Sequence, residues 1–141
     1  MGDRGGGIRG RAKPSAYSKR RKAYIAELDS LLNKSVIRYV GSDKSIKIGF
    51  NKKGNSHLAD DVMTKNLGLT KTDLPKLNDY LREAQYDGSS SLIKERKDNI
   101  VRFYYFKDNN KNVYYNVAEQ ANKRKNGKID KSRFLYAVTK Y

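Results

Sequence analysis

The chain contains no cysteine. That excludes disulfides, zinc ribbons and thiol nucleophiles, and says little about redox compartment. Its one histidine, His57, excludes any site built from several imidazoles. Tryptophan is absent and there are two prolines. No apolar run approaches the roughly 18 residues that a membrane-spanning helix needs. Nothing reads as a signal peptide, so if the protein leaves its cell, something outside this sequence is expected to export it. No G-x-S-x-G elbow, P-loop or dinucleotide fingerprint appears. Acidic residues are scarce, 15 against 31 Lys and Arg, for a net charge of +16.

An excess that large raises a potential of several kT over part of the surface and calls for an anionic partner. A phosphate backbone, a membrane surface and an acidic protein all qualify. Nucleic acid is favoured because eleven tyrosines supply both stacking faces and hydroxyl donors. A length of 141 residues suits one domain with a modest core.

Residues 1–13, rich in Gly and Arg, read as a flexible basic linker, and residues 14–141 as a single domain. Ser15 is a candidate N-cap for a helix whose apolar face is Tyr17, Tyr24, Ile25, Leu28, Leu31 and Leu32. Lys19 to Lys22 cover its other side. Two short β-like runs, Ser35–Val40 and Ser45–Phe50, flank turn chemistry at 41–44 and predict a hairpin. A loop over 51–56 then leads into a helix carrying Leu58, Val62 and Met63, ended by Gly68. Thr72 is placed to cap a third helix, with Pro75 in its first turn and a stripe of Leu74, Leu77 and Leu81. After a loop over 87–91 the period changes. Residues 99–107, 112–120 and 133–140 are β-branched and aromatic, with a basic loop over 121–132. The expected fold class is α+β, with N-terminal helices packed on a mainly antiparallel β-sheet of about four to five strands.

A two-residue turn at Asn109-Asn110 sets Arg102, Tyr104 and Phe106 opposite Val117, Tyr115 and Val113 on one face. Val101, Phe103 and Tyr105 share the other with Ala118, Asn116 and Tyr114. One face must carry the helices and the other a partly covered concave surface. The face of Arg102, Tyr104 and Tyr115 has more polar handles and is assigned to the cleft; the reverse assignment is the alternative.

Asp60-Asp61 are explained by the helix macrodipole more simply than by a metal, and no cofactor is expected. His57 follows two capping residues, Asn55 and Ser56, and is expected in a first helical turn, where the helix end favours a neutral, proton-accepting ring. The same end, with free backbone N–H groups and Lys52 and Lys53 alongside, suits a phosphate. A general base beside a phosphate site is what RNA transesterification requires, since the substrate's 2′-OH is the nucleophile. A surface or capping histidine without a role is the other reading.

From about Ile46 to Tyr141 the chain resembles the barnase–EndoU–colicin–RelE-like nucleases, especially versions found as C-terminal toxin domains of contact-dependent or phage-borne polymorphic toxins. The likeness rests on Gly49-Phe50 through Gly54-Asn55-Ser56-His57-Leu58, on the aromatic strand pair, and on the closing Phe134–Lys140. It implies a metal-independent ribonuclease, often one that acts on transfer RNA. It also implies delivery into a target cell's cytoplasm as part of a larger protein, and a dedicated immunity protein or antitoxin, expected to be acidic. His57 carries over as acid/base and Thr139 as a phosphate contact. With them, Arg102, Tyr104 and Tyr115 are expected to stabilise the scissile phosphate. Lys52, Lys53, Arg96, Lys97, Lys123, Arg124, Lys125 and Lys140 are expected to hold the RNA. A non-catalytic RNA- or DNA-binding module, with strand aromatics stacking bases, is the rival reading.

Overall fold

The computed structural model describes residues 15–141, so the linker expected over 1–13 lies outside the described residues. Ser15 caps the first helix, α1 (Ala16–Asp29), its Oγ accepting the Ser18 N–H at 3.1 Å. Tyr24 and Leu28 on that helix and Leu31 just after it are buried, whereas Tyr17 is nearly half exposed. Then follow β1 (Ser35–Tyr39), β2 (Ser45–Gly49), α2 (Lys52–Thr64), a 3-10 turn (Lys71–Lys76), α3 (Leu77–Glu83), β3 (Gln85–Ser89), β4 (Ile100–Asp108), β5 (Val113–Lys123) and β6 (Ile129–Lys140). The third helix expected after Thr72 is split, because its first turn is tightened over Pro75 and begins at Thr70, whose N–H donates to the Asp73 carboxylate at 2.8 Å.

The fold is α+β, built on one six-stranded sheet of order β1-β2-β6-β5-β4-β3. Every neighbour is antiparallel except β2 and β6, which run parallel. The strand count therefore exceeds the four to five expected. The additional strand is β3, whose sequence QYDGS has no β-branched residue and reads locally as loop. It forms against the free edge of β4, where Tyr86 packs on the Phe106 ring with centroids 5.5 Å apart.

The sheet curls. Lys44, in the turn between β1 and β2, reaches the Tyr104 hydroxyl of β4 at 3.0 Å. Arg38 of β1 lies over the Phe106 ring and donates to the Leu81 carbonyl of α3. The enclosed face holds Tyr104, Phe106, Tyr115, Val117, Leu135 and Val138 against leucines of the helices. This reverses the assignment of the sheet's two faces. The face of Tyr104 and Tyr115 is core, because it is the one carrying Phe106, Val113 and Val117 that the helical leucines can cover. The tyrosine tips are satisfied internally, Tyr115 donating to Asp108 at 2.6 Å and Tyr104 to Glu119 at 2.9 Å.

The β4–β5 turn also differs from expectation. Asp108 pairs with Val113, so four residues, 109–112, make the turn. Asp108 Oδ1 accepts the N–H groups of Asn110 and Lys111, and Asn112 adopts φ 58°. Phe106 therefore faces Tyr115, Tyr104 faces Val117 and Arg102 faces Glu119. The slip is of two residues, and an even slip leaves each side chain on its expected face. Finally, the basic stretch expected as a loop over 121–132 is mostly strand. There β5 and β6 continue as an exposed arm that turns at 124–128.

Candidate active site

The site is organised by what happens to β6 when β2 leaves it. Their pairing covers Ile48↔Arg133 and Gly49↔Phe134 only. Beyond that point the chain passes through Phe50 and Asn51 into α2, which packs along the next stretch of β6. Asn51 is the N-cap, its side chain accepting the Gly54 N–H at 2.8 Å. The helix thus starts well before the expected cap at Asn55 or Ser56. His57 lies in its second turn, and Asp60 and Asp61 deeper still, so the macrodipole explains neither the histidine nor the acids. Lys52 and Lys53 are part of the helix's first turn and not of a loop beside it.

Gly54 permits the close approach. A Cβ there would lie 2.3 Å from the Leu135 carbonyl oxygen and 3.0 Å from Phe134 Cδ2. With the helix this near, the buried Asp61 takes over the role of a strand partner. Its Oδ2 accepts the Val138 N–H at 3.0 Å, a bond spanning 77 residues of chain, and its Oδ1 meets Lys65 Nζ at 2.8 Å. From the other side α2 is held by Arg21 of α1, which donates to Ser56 Oγ at 2.5 Å and to Asp60 at 2.7 Å. That guanidinium, a member of an expected solvated face, is the principal cause that holds the Asp60 carboxyl below its ordinary range.

One turn before Asp61 on the same helix face, His57 stacks on Tyr136 of β6, with centroids 4.3 Å apart and planes 26° from parallel. β6 bulges here: Leu135 pairs with Val117 and Ala137 with Asn116, leaving Tyr136 unpaired on the outer face that it shares with Phe134 two residues earlier, beside Phe103. The His57 Nδ1 is buried, 3.4 Å from Asp61 Oδ2, with no hydrogen bond formed in this arrangement. The side chain is 39% exposed. None of that exposure belongs to Nδ1, so a ligand meets the ring from its Nε2 side.

The opposite rim is the segment before β4. Arg96 donates twice to Asp98, at 3.0 and 2.7 Å, and lies over the Phe103 ring. Lys53 approaches the same carboxylate at 3.6 Å. Arg96 is the first cause holding Asp98 well below the usual carboxylate range. Asp98 in turn, with help from the Tyr136 hydroxyl, secures the Arg96 charge. Histidine, tyrosine, arginine and lysine thus surround one patch of aromatic floor, Phe103 and Tyr136. Such a set can remove a proton, stack a base and hold an anion.

Of the residues singled out in the sequence, the structure brings together His57, Lys53 and Arg96. Tyr104 and Tyr115 are core residues, 2% and 0% exposed, and their hydroxyls are engaged, so they cannot reach a bound phosphate. Arg102 shares their side of β4, opposite Glu119, away from His57. Thr139 lies on the outer face, in register with Tyr114. Lys52 is paired with Asp29 at 2.6 Å. Lys97 is exposed beside Arg96. Lys123, Arg124 and Lys125 are at the tip of the arm, with Arg124 paired to Asp130, and Lys140 is exposed at the end of β6. Sequence reasoning missed Asp61 and Tyr136. The i, i+4 spacing of His57 and Asp61 was a legible signal, as was the alternation that puts Tyr136 on the face of Phe134; the packing of α2 that lays His57 on Tyr136 was not. No protein-family model, curated protein or solved structure matches this chain.

Proposed function

We propose that this chain is an RNA-cleaving toxin domain that works without a metal ion, as its resemblance to the barnase–EndoU–colicin–RelE-like nucleases implies. The observation that carries the reading is His57, with Nδ1 towards the buried Asp61 and its ring stacked on Tyr136, beside the Asp98 carboxylate that gathers Arg96 and Lys53. In the proposed reaction His57 takes the proton from a ribose 2′-OH. The oxygen attacks the adjacent phosphorus, and Arg96 and Lys53 stabilise the charge that develops on the phosphoryl oxygens. The P–O5′ bond breaks, leaving a 2′,3′-cyclic phosphate and, after protonation of the leaving oxygen, a 5′-hydroxyl. Asp61 steadies the ring, as the third group of a nucleophile–base pair does. Among the described residues no three His, Cys, Asp or Glu side chains gather as metal ligands. Transfer RNA is the proposed class of substrate and an acidic immunity protein or antitoxin the proposed partner, the latter matched to a net charge of +16. Among the described residues no helix is long and apolar enough to cross a membrane.

The test is cleavage of a defined RNA with and without chelator, beside the same RNA carrying one 2′-deoxy nucleotide at the cut. The chelator should change nothing and the deoxy strand should bind yet stay intact at that position. Cleavage at the deoxy position would refute the mechanism. Binding without any cleavage would favour the rival reading, a nucleic-acid-binding module.

A further inference from the structure

The sheet ends in two edge strands, β1 and β3, and they differ. β3 exposes no large apolar side chain. β1 carries Ile37 and Tyr39, 67% and 69% exposed, the two most exposed of the large apolar side chains among the described residues. They stand two residues apart, so both project from the outer face of one short strand. The other face of β1 is already engaged. Val36 and Val40 are buried there, and Arg38 reaches over Phe106 to the Leu81 carbonyl.

The backbone beside those side chains is open. Val40, just past β1, donates its N–H to the Lys44 carbonyl at 2.8 Å, which makes Val40 and Lys44 a hydrogen-bonded pair. Such pairs alternate along an antiparallel ladder, so Arg38 and Val36 bond to Ile46 and Ile48 of β2. The N–H and C=O groups of Ser35, Ile37 and Tyr39 therefore point away from the sheet, and no other backbone group bonds them among the described residues. Apolar side chains and open backbone share one edge about 17 Å long. Its surroundings are basic. Lys34 precedes the strand and Lys47 faces Ile37 across the β1–β2 pair, both exposed and without an ion pair among the described residues. Lys47 also shares a notch of about 280 Å³ with Lys131 and Arg133.

We propose that β1 is a strand-addition site for an acidic protein. An extended segment of that partner pairs with Ser35, Ile37 and Tyr39, lays two apolar side chains beside Ile37 and Tyr39, and brings carboxylates to Lys34 and Lys47. Backbone bonds supply the affinity in this mode, and the alternate side chains fix the register. A second copy of the chain fits the edge poorly, because each copy carries +16 and exposed lysines are a means by which edge strands resist self-pairing. A nucleic acid fits worse, having no row of N–H and C=O groups to offer the open backbone. The inference rests on the reading of an acidic partner and not on RNA cleavage. β2 separates this edge from β6, which carries Tyr136.

The probe is a peptide blocked at both ends, Glu-Glu-Val-Thr-Val-Glu-Glu, added to the full chain. Followed by NMR, the Ile37 and Tyr39 amides should exchange with solvent at least about tenfold more slowly once the peptide is bound, while those of Val36 and Arg38 stay as they were. Two versions of the peptide, N-methylated on alternate amides, should differ at least about tenfold in affinity, because only one set of amides faces β1. Lys34→Glu combined with Lys47→Glu should weaken the acidic peptide and favour its lysine counterpart. Ile37→Pro removes an outward N–H that the β2 ladder does not use and should abolish peptide binding. If that variant does not fold, the methylated peptides and the charge exchange still decide. Unchanged exchange at Ile37 and Tyr39, or equal loss from both methylated peptides, would overturn the proposal. So would RNA affinity that falls with Ile37→Pro, which assigns the edge to nucleic acid, or a dimer that Ile37→Pro dissolves, which assigns it to a second copy. The expected pattern in a chain that cuts no RNA would sink the ribonuclease reading and keep this one; RNA cleavage without it would do the reverse.

Discussion

Alanine at Gly54 would add one methyl group at the point where α2 meets β6. Its Cβ would stand 2.3 Å from the Leu135 carbonyl oxygen, 3.0 Å from Phe134 Cδ2 and 3.2 Å from Asn51 Oδ1. The first neighbour is backbone in the middle of a sheet and cannot swing aside, so the helix itself must retreat by about an ångström to restore ordinary contact. Two terms compete. Exchanging glycine for alanine inside a helix is worth about 1 kcal/mol in favour of alanine. Forcing an extra carbon into a packed junction costs about 1 to 3 kcal/mol, and more where backbone must move. The retreat also loosens the Asp61 bond to the Val138 N–H, a further cost of about 1 kcal/mol. The steric side wins, for a net loss of about 2 kcal/mol and a fall in Tm on the order of 8 °C. Because His57 rides on the same helix, RNA cleavage by the folded variant should fall as well. Thermal unfolding followed by circular dichroism, with cleavage measured well below the transition, checks both parts. A variant as stable as the parent, or more so, would show that α2 does not press on β6 as described.

Asp61 separates positioning from folding. Asp61→Asn keeps an acceptor for the Val138 N–H and should stay close to parental stability while cleavage drops at least about tenfold; Asp61→Ala should also lose about 1–3 kcal/mol. Unchanged cleavage in both would remove Asp61 from the site. Acid should destabilise the fold. Asp29, held down first by Lys52, Asp60 by Arg21 and Asp98 by Arg96 all titrate below the ordinary 3.8 when folded. Their contribution is therefore complete above about pH 5 and is lost as pH falls through 3.8 and below. Denaturant midpoints from pH 7 to 2.5 should trace that decline, and a flat profile would contradict these ion pairs. RNA affinity should fall with salt by about 0.7 log unit per log unit for each phosphate neutralised on a single strand, and replacing both Lys53 and Arg96 by Gln should reduce the slope by about 1.4. An unchanged slope would place the RNA elsewhere.

Much of this molecule is decided by short-range rules. The charge imbalance, the Ser15 cap and the alternation along β4 and β5 from Arg102 to Glu119 are local properties, and each is recovered in the folded chain. Even the error in the β4–β5 turn left every side chain on its expected face, because side chains on a strand repeat every two residues. His57 could be picked out because it has no rival. Which face of the sheet becomes core is a different kind of question. Both faces of β4 and β5 are aromatic, and alternation is symmetric between them, so the choice falls to whichever side the leucines of α1, α2 and α3 can cover. The same holds for β3, which exists only because β4 offers a free edge, and for the parallel contact of β2 with β6. It holds above all for the site. Asp61 caps a β6 amide 77 residues away, and His57 meets Tyr136 only because α2 packs on β6. Those relations join segments distant in sequence, and only the packing of α2 along the edge of β6 brings them within a few ångströms.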